Sequence, residues 1–212
     1  MREDRVERAQ AMFAERAVKD LYNAARICPG SPRGATALAQ AVLGRSCIRI
    51  LPRHSIPKSA LVWDRRAPVI QLREGLTPRE LNHHAAHELG EWHLRVNNYR
   101  GPEPEELVRR IAASLCVPQK AFHAARAALG DDLRALSRAF VVSESLMALR
   151  IAECLGPATA LITPRRIRTR GAAWSWPSSP DEWRELVQRA PRDGMHVHRL
   201  CDARGRLVIR AR

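Results

Sequence analysis

Apolar residues recur at helical spacing from the start of the chain. Val6, Ala9, Met12, Phe13, Ala17, Leu21 and Ala24 share one face of residues 4–27, and CPGSPRG stops the pattern with its prolines and glycines. This predicts an amphipathic helix. A short second helix, ATALAQAVLG, closes at Gly44, after which CIRILP alternates and is rich in β-branched residues. SALVWD and APVIQL follow as two more strands joined by the charged turn DRR. Together they predict a small antiparallel sheet.

The sharpest local signal comes next. Thr77, Pro78 and Glu80 stand at the N-cap, first and third helical positions of a capping box, so a helix begins at Pro78 and runs to about Val96. NNYRGPEPEE breaks it. EELVRRIAASLCV is then an amphipathic helix ending before Pro118, and QKAFHAARAAL is another, closed by Gly130. DDLRALSRAFVVSESLMALRIAECLG reads as a helix-turn-helix pair, with an Asp cap, apolar Leu133, Leu136 and Phe140, and Ser143 as the second N-cap. Beyond Gly156 the composition shifts. PATALITPRRIRTRG, WSWPSSPDEW and HVHRLCDARGRLVIRAR suggest short strands with DARG as a hairpin turn, a small β-rich tail.

The 212 residues, 45% of them hydrophobic, can fill one large core or a main domain and a small appendage. No run approaches the ~18 to 20 apolar residues of a membrane span, and the charged MREDRVERAQ is no signal peptide. A cytoplasmic protein with no membrane partner is expected. Cys28, Cys47, Cys116, Cys154 and Cys201 are scattered, odd in number and never paired as C-x-x-C, so they suggest neither a disulfide framework nor a cysteine zinc knuckle and read as buried thiols. The formal charge of +14 suits a nucleic-acid or other acidic partner. Yet only three of 36 basic residues are Lys, so an Arg-rich coding bias explains the excess equally well. Residues 161–212 hold twelve Arg against five acids.

Chemistry concentrates in NHHAAHELGEWHL, residues 82–94. Positions i and i+4 of a helix project along nearly one line, the geometry by which H-E-x-x-H offers two histidines to zinc and a glutamate as general base. Here His87 can be a ligand and Glu88 the base, but Glu91 takes the second ligand position. A carboxylate binds zinc at ~2.0 to 2.2 Å and, being anionic, lowers its Lewis acidity. His83, His87 and Glu91 form one stripe whose ends lie ~12 Å apart, too far for a single ion. Trp92 and His93 point elsewhere, toward packing or surface roles.

APVIQL, AAHELGEWHL, IAASLCVP and LSRAFVVSESLMALRI, in this order and spacing, resemble the ImmA/IrrE-like metallopeptidases across roughly residues 30–155. The resemblance implies an α+β, zincin-like fold of gluzincin type, a zinc cofactor held by two His and a Glu of the following helix, and cleavage of a helix-turn-helix repressor. Carried over, it makes His87 the first ligand, Glu88 the general base and Glu91 the second ligand. Leu107 falls where the third ligand would stand, with Glu106 and Glu105 one and two places before it, and Glu106 completes the candidate metal set.

The domains expected are a metallopeptidase domain over residues 1–130, a helix-turn-helix-like pair over 131–156 packed on it, and a small basic β-rich tail over 157–212. Two other functions stay open. One is an inactive pseudopeptidase that binds a protein partner, with APVIQL as an edge strand accepting a peptide by β-addition. The other is a DNA-binding regulator using residues 131–170, with Arg165, Arg166, Arg168 and Arg170 and nearby Trp174 and Trp176 contacting nucleic acid. The largely apolar ESLMALRIAEC favours packing over groove reading.

Overall fold

The computed structural model describes residues 2–27, 34–65, 67–156, 159–162, 167–170, 177, 179–193, 195–199 and 207–210. They form two compact units, residues 1–142 and 143–212. The first unit opens with α1 (Arg2–Ala25) and α2 (Ala35–Leu43). Then come β1 (Ile48–Leu51), β2 (Ala60–Asp64) and β3 (Ala67–Arg73), followed by α3 (Pro78–Val96), α4 (Pro104–Cys116), α5 (Gln119–Leu129) and α6 (Leu133–Ala139).

The helix α3 organises this unit. Its capping box is complete: the Thr77 hydroxyl accepts from the Glu80 N–H at 3.3 Å, and the Glu80 carboxylate accepts from the Thr77 N–H at 2.8 Å. Ala85, Ala86 and Leu89 are wholly buried, and the helix lies close against α4 at Gly90. A Cβ there would stand 3.2 Å from Ile111 Cγ2, itself wholly buried. The missing side chain lets the two helices approach closely at this point.

Asn82 ties α3 to two other elements. Its Oδ1 accepts from the Ala35 N–H at 2.7 Å, supplying the cap that Gly34 cannot give α2, and its Nδ2 donates to the Phe140 and Val141 carbonyls at 3.4 and 3.5 Å. From the other side α1 packs on α4. Tyr22 Oη donates to the Leu115 carbonyl at 3.4 Å, and Ser114 Oγ donates to Glu15 Oε1 at 3.0 Å.

The sheet corrects the antiparallel expectation. Its order is β1-β3-β2, with β1 parallel and β2 antiparallel to β3. The connection from Leu51 to Ala60 crosses the end of β3, since those residues pair with Arg73 and Gln71 of that strand. An eight-residue link reaches ~26 Å extended, ample for two strand spacings of ~4.8 Å each. APVIQL is thus the central strand, with both its edges paired, and cannot take a further strand. The edges belong to β1 and β2.

The second unit comprises α7 (Glu144–Leu155), β4 (Thr159–Ile162), β5 (Ile167–Arg170), α8 (Pro180–Arg189), β6 (His196–Arg199) and β7 (Leu207–Arg210). Its antiparallel sheet runs β5-β4-β7-β6. The strand reading of WSWPSSPDEW fails from Pro180 onward. Ser179 Oγ accepts from the Glu182 N–H at 3.3 Å, Pro180 fits the first turn, and Trp183, Leu186 and Ala190 return at helical spacing to a small core with Ala160. The DARG turn, Arg165, Arg166, Trp174 and Trp176 lie outside the described residues. The pair read as helix-turn-helix is divided between the units, α6 in the first and α7 in the second. Among the described residues, no helix is long and apolar enough to cross a membrane.

Candidate metal centre

Because α3 is regular through residues 87–91, His87, Glu88 and Glu91 project from neighbouring positions of one helix. One donor atom from each lies within 4.8 Å of the others. His87 and Glu91 are half-buried, whereas Glu88 is only 4% exposed. Burial, reinforced by the neighbouring Glu91 charge, pushes the Glu88 carboxyl up to about 7. The Leu61 backbone N–H, donated from β2, and the Lys58 ammonium oppose that rise. Burial likewise holds the His87 imidazole below its usual range, against the opposing charges of Glu105 and Glu91.

The remaining carboxylates are tied to arginines. Glu91 Oε1 accepts from the Arg95 guanidinium one turn on. Glu105 pairs with Arg109 at 3.0 Å, and Glu106 lies 3.7 Å from both Arg109 and Arg110. Glu106 does not belong to the converging group; of the two, Glu105 is the one whose charge acts on His87. Leu107 is wholly buried in the core. His93 is buried and does not belong to the converging group, and Trp92 is half-buried.

Imidazole nitrogen and carboxylate oxygen are ligand types that zinc accepts. The fit has a second mark in Glu88 Oε2, which is buried with no hydrogen-bond partner among the described residues. A buried acceptor left unsatisfied is costly, and a cation, a water or a proton would relieve it. Three features were not drawn from the sequence. Leu61 of β2 and Lys58 of the loop before it act on the site from outside α3, beyond the range of helical spacing. The Arg95 pairing was legible as an i, i+4 partner of Glu91.

Residues 47–152 match the Peptidase_M78 family, described as the IrrE N-terminal-like domain. The chain belongs to that family. Peptidase_M78 proteins have a zincin-like fold, are typically zinc-dependent and include regulatory metallopeptidases, and this member carries a possible His/Glu metal cluster. Among solved structures it is similar to one described as a Mycobacterium tuberculosis transcriptional regulator, with TM-score 0.58 and 17% identity. That match covers 91% of this chain and 64% of the other, so the chain spans less than two thirds of that regulator's length. At this identity the likeness is one of fold. No curated protein matches the sequence.

Proposed function

We propose that this IrrE-like chain is a regulatory metallopeptidase acting on a helix-turn-helix transcriptional repressor. The observation that carries the reading is the convergence of His87, Glu88 and Glu91, with Glu88 buried and one of its oxygens unsatisfied. His87 and Glu91 would hold the ion. From α4 the third carboxylate would be Glu106 or Glu105, and the action of the Glu105 charge on His87 favours Glu105. Bound zinc would polarise the scissile carbonyl and make water more acidic.

The chain's own residues supply the rest. Glu88, with its carboxyl at about 7, is poised to take a proton from the attacking water and return it to the leaving amine. Its hydrogen bond from the Leu61 N–H sets the edge strand β2 beside the reacting groups. An extended peptide adding to that edge would pass its backbone by Glu88.

Metal analysis of the purified protein tests this reading. The expected outcome is about one equivalent of zinc, lost in His87→Ala. Absence of stoichiometric zinc, with no uptake when zinc is added, would sink the enzyme. A second reading, a non-catalytic relative that binds the same repressor, is favoured by Glu91 being bonded to Arg95 and by Leu107 lying in the core. Repressor binding by a zinc-free protein that cuts nothing would establish it.

A further inference from the structure

Beside the cluster, between the C-terminal end of α3 and the start of α4, lies an open cleft of about 390 Å³. Glu91 and Arg95 of α3 and Glu105 of α4 line it, Leu94 and Val108 are apolar lining residues, and Tyr99 and Arg100 come from the loop between the helices. Tyr99 is held in place. Its ring packs on Phe13 of α1 with centroids 5.3 Å apart, and its hydroxyl donates to the Pro102 carbonyl at 3.2 Å. Two residues on, Gly101 leaves room for this placement, since a Cβ there would stand 2.1 Å from the Tyr99 hydroxyl oxygen and displace the ring.

Two acids, Glu91 and Glu105, and two arginines, Arg95 and Arg100, line the cleft, and what distinguishes Arg100 is its pairing. Glu91 is matched by Arg95 and Glu105 by Arg109, both within their own helices. Exposed Arg100 has no ion-pair partner among the described residues. Apolar residues beside one guanidinium left without an ion pair suit a side chain that has a short methylene stem and an anionic end. The +14 charge of the chain draws partners of the same sign as that end.

We propose that this cleft is a specificity subsite for an acidic side chain of a peptide bound across the His87–Glu88–Glu91 centre, with Arg100 as the discriminating residue. The subsite rests on the protein-partner reading above and deepens it. The carboxylate meets Arg100 while its methylenes lie against Leu94, Tyr99 and Val108. Arg100 itself is not among the candidate metal donors, so its pairing with the carboxylate can be read with and without zinc.

The test uses the full chain and fluorescein-labelled extended peptides, alike except for Glu, Gln or Lys at one central position. Their affinities are measured at about 50 mM salt, in EDTA and again with zinc. The Glu peptide should bind about three- to fivefold tighter than the Gln peptide, as a partly exposed ion pair allows. That advantage should vanish in Arg100→Ala and turn toward the Lys peptide in Arg100→Glu. Equal affinities, or a Glu preference that survives Arg100→Ala, overturn the subsite. Failure to take up zinc would sink the peptidase reading separately, since the EDTA arm still reports the charge preference. If no peptide binds under either condition, both fall.

Discussion

Between its ordinary value of 4.5 and about 7, the Glu88 carboxyl keeps in the folded chain a proton that the unfolded chain has released. A group raised in this way contributes stability that is fully present below the unfolded value and is lost as the pH climbs through the folded one. The metal-free protein should therefore lose on the order of 2 kcal/mol from this residue between about pH 5 and about pH 8. Glu88→Gln should flatten that slope and leave the variant the more stable of the two above neutrality. Urea unfolding in EDTA at several pH values reads the difference, and parallel slopes would show that Glu88 titrates normally. At this scale the sequence was half legible. The juxtaposition of His87, Glu88 and Glu91 follows from helical spacing, whereas the burial that perturbs Glu88 depends on β2, whose placement no local pattern encodes.

Two substitutions test how the elements hold the site. Gly90→Ala improves helix propensity by up to about 1 kcal/mol, but its methyl would press on the wholly buried Ile111. Overpacking at about 1 to 3 kcal/mol should win, so thermal unfolding should move down. A rise in melting temperature would mean that α4 shifts freely against α3. Asn82→Ala removes the acceptor of the Ala35 N–H and the donor to Phe140 and Val141, at a cost of about 1 to 3 kcal/mol. Amide exchange should accelerate first at the start of α2 and around Val141; uniform acceleration would show a general loss of stability instead.

The boundary of α3 was readable because Thr77, Pro78 and Glu80 specify it within one turn. Strand order was not, because alternation identifies a strand without naming its neighbours. The helix α8 was missed because Trp, Pro and Ser resemble loop and strand until Ser179 is recognised as its cap.

For the molecule as a whole, charge and shape pull in opposite directions where DNA is concerned. The strands β4 to β7 contain Arg168, Arg170, Arg199 and Arg210 and no acid, while α8 carries Asp181, Glu182 and Glu185. Phosphates would be attracted. A recognition helix, however, must offer side chains to base edges, and none of the residues of α7 is exposed. Duplex DNA should bind without sequence preference, with affinity that collapses between about 50 and 200 mM salt. A sequence-specific footprint at the higher salt would show that another element reads bases. The family match stops at residue 152, within α7, whereas the first compact unit stops at 142 and α7 contacts β4 and β5 of the second. Inheritance and folding thus draw their lines at different residues. A gene fragment trimmed to the inherited segment would sever α7 three residues before its end and deprive it of the strands it packs with, so dissection of this chain has to respect the fold rather than the pedigree.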